Sequence, residues 1–202
     1  MLRKHTLLPV FLLAIGLTGC MSQNREPTTI WVADALEPLG PDTAPRLETE
    51  LYSASRSQLT LEAAINETIA FQVVLRPAGM RDGPFQIPLS NLAGPTGELD
   101  SASAFRIFRG QSVRVSEPGS WYSAHVGEPI SSALVLDKLV PWDAPVGGGP
   151  LVLAESRNET IWVDLHVPPE TEPGTYRGSL SIEKGGSPLA ISRRRTVWCA
   201  FR

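Results

Sequence analysis

Residue types that carry out chemistry are sparse in this chain of 202 residues. Beyond the N-terminal region the histidines are His125 and His166, and neither belongs to a Cys/His/Asp cluster with the spacing of a metal site. His166 alternates with Trp162 and Asp164, which predicts a partly exposed position on a sheet rather than a ligand role. The G-x-S-x-G motif of serine hydrolases is absent, and no Asp/Glu pair is marked out for glycosidase chemistry. The sequence therefore predicts no catalytic residue, no metal and no cofactor.

Aromatic side chains in loop-like sequence are the best candidates for binding. Trp121 and Tyr122 follow a Pro-Gly pair, and Trp142 follows Pro141. An exposed flat ring can stack on the C–H face of a sugar, so these three residues are candidates for contact with carbohydrate or with a neighbouring domain. For Trp121 and Trp142, anchoring of their own loops or a contact with a neighbouring domain is favoured over sugar binding. The other tryptophans lie in predicted strands, where packing in the core or between sheets is expected: Trp31, Trp162 and Trp198.

The charge and composition exclude some classes of protein. The chain has 18 Lys and Arg residues against 21 Asp and Glu residues, and a formal charge of -3 provides no basic field to attract nucleic acid. Eighteen prolines and 17 glycines, with 42% hydrophobic residues, are typical of a turn-rich all-β domain.

The first residues have the pattern of an export signal. Arg, Lys and His at positions 3–5 precede an apolar run, residues 7–17, that is too short to span a membrane comfortably. Residues 17–20, LTGC, resemble the bacterial lipobox, and this resemblance implies cleavage before Cys20 and attachment of lipid to its thiol. An ordinary signal peptide with a chance cysteine is the alternative. We predict a lipoprotein signal peptide over residues 1–19 and a tether over residues 20–27.

This N-terminus predicts a protein of the bacterial cell envelope, held at the membrane by lipid on Cys20. Met21 stands where an aspartate would favour retention, which indicates the outer membrane if the cell is Gram-negative. Cys199 is the other cysteine, and lipid on Cys20 would remove its only possible partner within the chain. No intramolecular disulfide is therefore expected, and a Cys20–Cys199 pair is the alternative.

Residues 28–202 are predicted to form one β-sandwich domain with two sheets, immunoglobulin-like or jelly-roll-like in architecture. Short runs of β-branched and aromatic residues recur about every ten residues between Gly/Pro breaks, as in sandwiches. No convincing helix exceeds two turns. Apart from the stretch described next, the predicted strands are residues 28–36, 46–52, 59–63, 69–75, 85–92, 105–115, 133–139 and 189–198.

Residues 158–182 have the clearest pattern, which predicts a β-hairpin. Apolar residues alternate with polar ones from Ile161 to Val167, and Pro173-Gly174 is a turn signal. The first four residues, NETI, repeat those at positions 66–69, and an apolar strand ending at a proline follows each copy. We expect the two segments to hold matching places, with each asparagine bonding its own backbone in a turn. Both copies also match the N-x-T glycosylation pattern, but the turn role is preferred in a bacterial lipoprotein.

Three stretches of strand-and-turn sequence carry a family resemblance. They are IWVDLHVPPETEPGTYRGSLSI at residues 161–182, INETIAFQVVLRP at 65–77 and LVLDKLVPWDAP at 134–145. They are similar to motifs in the N-terminal β-sandwich of glycoside hydrolase family 123 and of related uncharacterised proteins with a TIM barrel. The motifs follow one another along the chain in the same order in that family as in this sequence. The resemblance extends over roughly residues 28–198, nearly all of the chain expected after export.

The family resemblance implies a C-terminal barrel that hydrolyses glycans containing N-acetylhexosamine. An adjacent Asp-Glu pair in that barrel is the catalytic centre, and no Asp-Glu dipeptide occurs in this sequence. No catalytic residue can therefore be transferred to this chain. The basic run at residues 192–195 and the ending TVWCAFR depart from the family pattern and are typical of a truncated gene product. A short lipoprotein with a basic sheet edge is the alternative.

The sequence thus favours a non-catalytic accessory β-sandwich of an exported, lipid-anchored protein related to glycoside hydrolases. Its expected partners are the membrane, glycans and a barrel that supplies the chemistry, and nucleic acid is not among them. The alternative function is that of a stand-alone surface lipoprotein, either carbohydrate-binding or structural.

Overall fold

The computed structural model describes residues 28–77, 81–115, 133–154, 157–188 and 195–201. Their regular secondary structure is almost entirely β-strand, with one helix of four residues, which confirms the predicted all-β class. None of them forms a helix long and apolar enough to cross a membrane.

The elements are β1 (Thr29–Asp34), β2 (Tyr52–Ser53), β3 (Gln58–Ala63), β4 (Thr68–Arg76), β5 (Arg81–Gln86), β6 (Leu92–Ala93), β7 (Glu98–Leu99), α1 (Ser101–Ala104), β8 (Phe105–Val115), β9 (Ala133–Pro141), β10 (Leu151–Ala154), β11 (Glu159–His166), β12 (Gly174–Leu180), β13 (Glu183–Lys184), β14 (Ser187–Pro188) and β15 (Arg195–Phe201).

The strands assemble into sheets of five, six and four members within the described residues. The five-stranded sheet has the order β1-β4-β11-β8-β9, and the six-stranded sheet has the order β2-β3-β15-β12-β6-β7. A small third sheet, β10-β5-β13-β14, adds to the two expected for a simple sandwich. Pairing is antiparallel throughout except between β3 and β15, which run parallel.

The alternation along β11 separates a core face from a second face. Ile161, Val163 and Leu165 are fully buried, and we call the face they share the inner face of the five-stranded sheet. Trp162, Asp164 and His166 are half-buried on the outer face, because successive side chains in a strand point in opposite directions. The predicted period-two pattern of this strand is therefore confirmed.

A single hydrophobic core joins the three sheets. The inner face of the five-stranded sheet contributes the residues of β11 together with Phe71 and Val73 of β4. Leu59 and Leu61 of the six-stranded sheet and Phe85 of the small sheet belong to the same buried cluster. Trp31 is completely buried, as expected. It lies opposite Val74 in register, which places it on the outer face of the five-stranded sheet, where other parts of the chain cover it.

The predicted hairpin over residues 158–182 is wrong. β11 lies in the five-stranded sheet and β12 lies in the six-stranded sheet, so the two strands do not pair. The connection turns at Pro168, whose carbonyl accepts the Thr171 N–H at 3.1 Å, and the chain then crosses to the other sheet. Tyr176 Oη donates to the carbonyl of Glu172 at 3.0 Å, in the manner of a tyrosine corner, and this bond fixes the crossing.

Two other strand predictions needed correction. Residues 46–52 form a tight turn and contribute only Tyr52 to a strand, because the Thr49 hydroxyl accepts the Tyr52 N–H at 2.9 Å. The strand predicted at residues 85–92 begins earlier, at Arg81, and ends at Gln86, shortly before Pro88, which has no N–H for a ladder. β10 was not predicted at all.

Candidate functional site

Most of the aromatic candidates, and the lipidation candidate, cannot be located in the fold. Cys20, Trp121 and Tyr122 lie outside the described residues, as does His125. Trp198 and Cys199 belong to β15, whose backbone is described but whose side chains are not. Their predicted roles therefore remain predictions.

Trp142 holds the loop that follows β9. Its side chain is half-buried and packs against the core. Its backbone N–H donates to the Ile107 carbonyl at 2.9 Å, and its backbone carbonyl accepts the Gly149 N–H at 2.8 Å. The indole lies directly over Gly149, where an added Cβ would collide with the ring. Gly149 thus covers part of the ring that a sugar would need, and the predicted carbohydrate contact remains a prediction.

The outer face around His166 forms a shallow depression of about 220 Å³. The hydroxyl of Thr68 lies 3.0 Å from His166 Nδ1, and Trp162 Nε1 donates to Asp164 Oδ1 at 2.6 Å. His166 is half-buried on the sheet surface, as predicted, and Trp162 shares this face instead of the core. Among the described residues no group of His, Cys, Asp and Glu side chains could hold a metal ion.

Gln72, in one of the family-like stretches, ties down the loop after β1. The side chain is only 1% exposed, and its Nε2 donates to the carbonyl oxygens of Asp34 at 2.8 Å, Ala35 at 3.3 Å and Glu37 at 3.0 Å. An amide nitrogen carries two N–H groups, so these two donors are shared among the three carbonyl oxygens. The glutamine is therefore a structural clamp.

Asn158 clamps the same loop further along, so its predicted self-bonded turn is wrong. Its Nδ2 donates to the carbonyls of Gly40 at 3.0 Å and Thr43 at 2.9 Å, and its backbone N–H donates to Pro41 at 2.8 Å. Its counterpart Asn66 lies in a turn, with a left-handed φ of 63° that asparagine tolerates better than most residues. The two asparagines therefore have different roles.

A cleft of about 420 Å³ opens where β11 begins, and sequence reasoning did not find it. Among the described residues, β8 pairs with β11 only as far as Gly110 and then continues to Val115 paired with β9 alone. This leaves a notch beside β8. The cleft is bounded by residues 39–41, 109–112, 134, 136 and 157–160.

Gly110, which lines this cleft, has no room for a side chain. A Cβ at this position would lie 2.6 Å from Leu136 Cδ1 and 3.2 Å from the Thr160 carbonyl oxygen. Real Cβ atoms do not approach other atoms so closely, so a larger residue would push Leu136 aside.

A partly buried ion pair forms one wall. Arg109 Nη2 lies 3.5 Å from Glu159 Oε2, and each side chain is about a quarter exposed. Burial raises the pKa of the Glu159 carboxyl above its ordinary value, and the nearby Arg109 charge opposes that rise without cancelling it. Two buried polar atoms, Arg109 Nε and Asn158 Oδ1, have no hydrogen-bond partner among the described residues.

One sequence signal could have pointed to this cleft. Phe105 and Ile107 occupy inner positions of β8, and the next inner position holds Arg109. A charged residue in line with apolar ones breaks the period of a half-buried strand. Such a break indicates a polar end to the core, although it does not reveal which distant segments meet there.

No protein-family model and no curated protein sequence matches this chain. Among solved structures the chain is similar to a family 123 glycoside hydrolase from Clostridium perfringens, studied for glycolipid glycan hydrolysis, with a TM-score of 0.54 and 12% identity. The match covers 87% of this chain and 27% of that chain, so this protein spans about a quarter of the hydrolase. At this identity the likeness shows a shared fold.

Two further structures match with TM-scores that are too low to support an argument. AvmM, which catalyses macrocyclization in alchivemycin A biosynthesis, has a TM-score of 0.37 and 12% identity, with 86% of this chain and 84% of that chain covered. The N-terminal domain of PorA has a TM-score of 0.28 and 10% identity, with 86% and 96% covered.

Proposed function

We propose that this chain is a non-catalytic accessory β-sandwich of an exported, lipid-anchored protein related to glycoside hydrolases. The sandwich would support or orient a catalytic barrel that residues 1–202 do not include. The fold likeness to a family 123 hydrolase, of which this chain spans about a quarter, supports a modular role of this kind.

One observation carries the proposal: the family-like strands form the centre of a scaffold. β4 and β11 are neighbours in the five-stranded sheet, and their apolar side chains make up much of the core. The polar side chains Gln72 and Asn158 are engaged with carbonyls of the chain's own loop. A resemblance concentrated in such residues indicates a shared support rather than a shared catalytic centre.

The lipid is proposed to hold the sandwich at the cell envelope through Cys20 and the tether of residues 20–27. A bacterial lipoprotein cysteine bears several acyl chains, and two or more chains suffice for stable anchoring. The substitution Cys20→Ala tests this point by fractionation. The unsubstituted protein is expected in the membrane fraction, and the variant is expected to be soluble; a variant that stays with the membrane contradicts the lipid anchor.

The accessory role is tested by recovering the native protein with an antibody raised against the sandwich. Mass spectrometry is expected to find a barrel with an adjacent Asp-Glu pair, either in the same polypeptide or in a bound partner. Recovery of the sandwich alone, without any glycosidase, would count against the proposal and favour a stand-alone surface lipoprotein.

A second measurement tests the absence of catalysis. The processed chain, residues 20–202, purified in a neutral detergent, is expected to release no product from a chromogenic N-acetylhexosaminide. Release above that of a preparation from cells lacking the gene would show that the chain is itself an enzyme.

A further inference from the structure

The cleft beside β8 has unmet capacity for hydrogen bonds. Arg109 Nε is a donor and Asn158 Oδ1 is an acceptor, and both are among the five buried polar side-chain atoms without a partner among the described residues. Of those five atoms, only these two belong to residues that line the cleft. Each such atom in a native protein calls for an explanation. Both are covered by protein, so a ligand reaches them only if side chains that line the cleft move.

The guanidinium of Arg109 favours an anion. Its Nη2 lies 3.5 Å from Glu159 Oε2, the one carboxylate among the described lining residues, whereas its Nε–H has no partner there. Burial raises the pKa of Glu159, so its negative charge is the most easily neutralised charge in the cleft. A guanidinium prefers planar anions such as carboxylates, which it can bind through two parallel N–H groups.

The size and the remaining lining indicate a small ligand that bears hydroxyl groups. The volume of about 420 Å³ is in the range of small-molecule sites. Gln111 and Ser112 offer an amide and a hydroxyl group, and Asn158 offers only its Oδ1 acceptor, because its Nδ2 already donates to the carbonyls of Gly40 and Thr43. Leu134 and Leu136 add an apolar side. This combination suits a sugar ring, which has polar edges and an apolar C–H face.

We propose that this cleft binds a small, hydroxyl-rich carboxylate of the sugar-acid class. Arg109 holds the carboxylate, and the side chains of Gln111, Ser112 and Asn158 hold the hydroxyl groups. The ligand is recognised by the sandwich alone, so the proposal does not depend on the presence of a catalytic barrel or of a lipid anchor.

Calorimetric titration of the full chain with three probes tests the ligand class. Glucuronic acid carries both a carboxylate and hydroxyl groups, glucose lacks the carboxylate, and acetate lacks the hydroxyl groups. Glucuronic acid is expected to bind about ten-fold more tightly than glucose, because its carboxylate adds a charge-assisted hydrogen bond. It is also expected to bind about ten-fold more tightly than acetate, because its hydroxyl groups add neutral hydrogen bonds. Equal binding of glucuronic acid and either control overturns the proposal, as does no binding of glucuronic acid.

Substitutions with opposite signs place the ligand in this cleft. Arg109→Gln is expected to weaken glucuronic acid binding about ten-fold or more, and Glu159→Gln is expected to strengthen it by removing a competing carboxylate. Arg106→Gln is the matched control, because Arg106 is on the same strand but lines the depression around His166. General unfolding would weaken binding in every variant, so a stronger Glu159→Gln complex supports the cleft even if Arg109→Gln folds poorly. Equal effects of Arg106→Gln and Arg109→Gln overturn it.

Discussion

The two copies of the NETI sequence lie at opposite ends of the antiparallel pair of β4 and β11, and they have different structural roles. At the start of β4, Asn66 is exposed and adopts a left-handed conformation, and the Glu67 carboxylate accepts the Ala64 N–H at 2.6 Å. At the start of β11, Asn158 clamps a distant loop and Glu159 pairs with Arg109 in a cleft. The same four residues therefore form a local turn in one place and a wall of a candidate site in the other.

This difference arises from what surrounds each end. The loop of residues 35–45 reaches Asn158, and β8 places Arg109 beside Glu159. The segment at residues 64–67 closes on itself through short-range bonds. A repeated sequence thus specifies where a strand begins, whereas tertiary contacts decide what the first residues of that strand do.

The largest expected effect tests what the two strands share. Phe71 of β4 lies opposite Val163 of β11, and Leu165 lies two residues further along, all fully buried. Phe71→Ala is expected to lower the free energy of unfolding by about 3–5 kcal/mol, and Leu165→Ala by about 2–5 kcal/mol, because each leaves a cavity. Urea unfolding followed by circular dichroism measures both. A negligible loss of unfolding free energy in either variant would show that β4 and β11 do not contribute equally to the core.

Replacement of each asparagine by glycine is expected to separate the two copies. Asn158→Gly removes the donors to Gly40 and Thr43 and should cost about 1–3 kcal/mol of unfolding free energy. Asn66→Gly should change stability by about 0.5 kcal/mol or less, because glycine adopts positive φ without strain. The same urea titration serves for both variants, and similar costs at the two sites would contradict their different roles.

The pH dependence of stability should reveal the buried glutamate. Burial raises the pKa of Glu159 above 4.5, so the folded state binds its proton more readily than the unfolded state does. Its contribution to stability is fully present below the ordinary pKa and is lost as pH rises through the folded pKa. The melting temperature of the unsubstituted protein, relative to that of Glu159→Gln, should therefore increase as pH falls from neutral towards the ordinary pKa of 4.5.

Glu48 provides the control for this pH experiment. The hydrogen bond that its carboxylate accepts from the Ser55 backbone N–H lowers the pKa of Glu48. Its contribution to stability is therefore present above pH 4.5 and is lost only at more acidic pH. Glu48→Gln should leave the change between neutral pH and pH 4.5 intact, because the Glu48 contribution is lost only below that range. Loss of that change in Glu48→Gln would remove Glu159 as its cause.

The smallest expected effect concerns the exposed copy of the acidic residue. Glu67→Ala removes the bond to the Ala64 N–H at the protein surface, and we expect a loss of about 0.5–1 kcal/mol in unfolding free energy. Glucuronic acid binding should be unchanged in this variant, because Glu67 does not line the cleft. Thermal melting and calorimetry together check this prediction, and weaker binding would mean that the two ends of the strand pair are coupled.

The sequence predicted many of the strands because local alternation and turn residues specify them. The predicted limits of β8 match the structure, and β3 and β4 agree to within a residue at each end. The turn at residues 46–52 was missed because a threonine hydroxyl there competes with strand pairing. That competition depends on the geometry of a few atoms and has no clear signature in hydrophobic periodicity.

Strand partners and the cleft were harder to predict than strand positions. β11 and β12 are close in sequence, and a hairpin was the simplest expectation, but pairing depends on distant strands such as β4 and β15. The cleft draws its lining from four separate parts of the chain. Arg109 and Glu159 interrupt apolar positions in their strands, which is visible in the sequence, but their meeting is set by the register of β8 and β11.

The parallel pairing of β3 with β15 also affects the order of folding. Leu59 lies beside Val197, and β15 stands between β3 and β12, so the six-stranded sheet closes through contacts between distant parts of the chain. Contacts of such high sequence separation slow folding, because a long loop must close before they form. During synthesis this sheet stays incomplete until β15 has been made. A chain that folds late in this way would remain unfolded for longer, which is the state that the export proposed above would require for passage through a narrow channel.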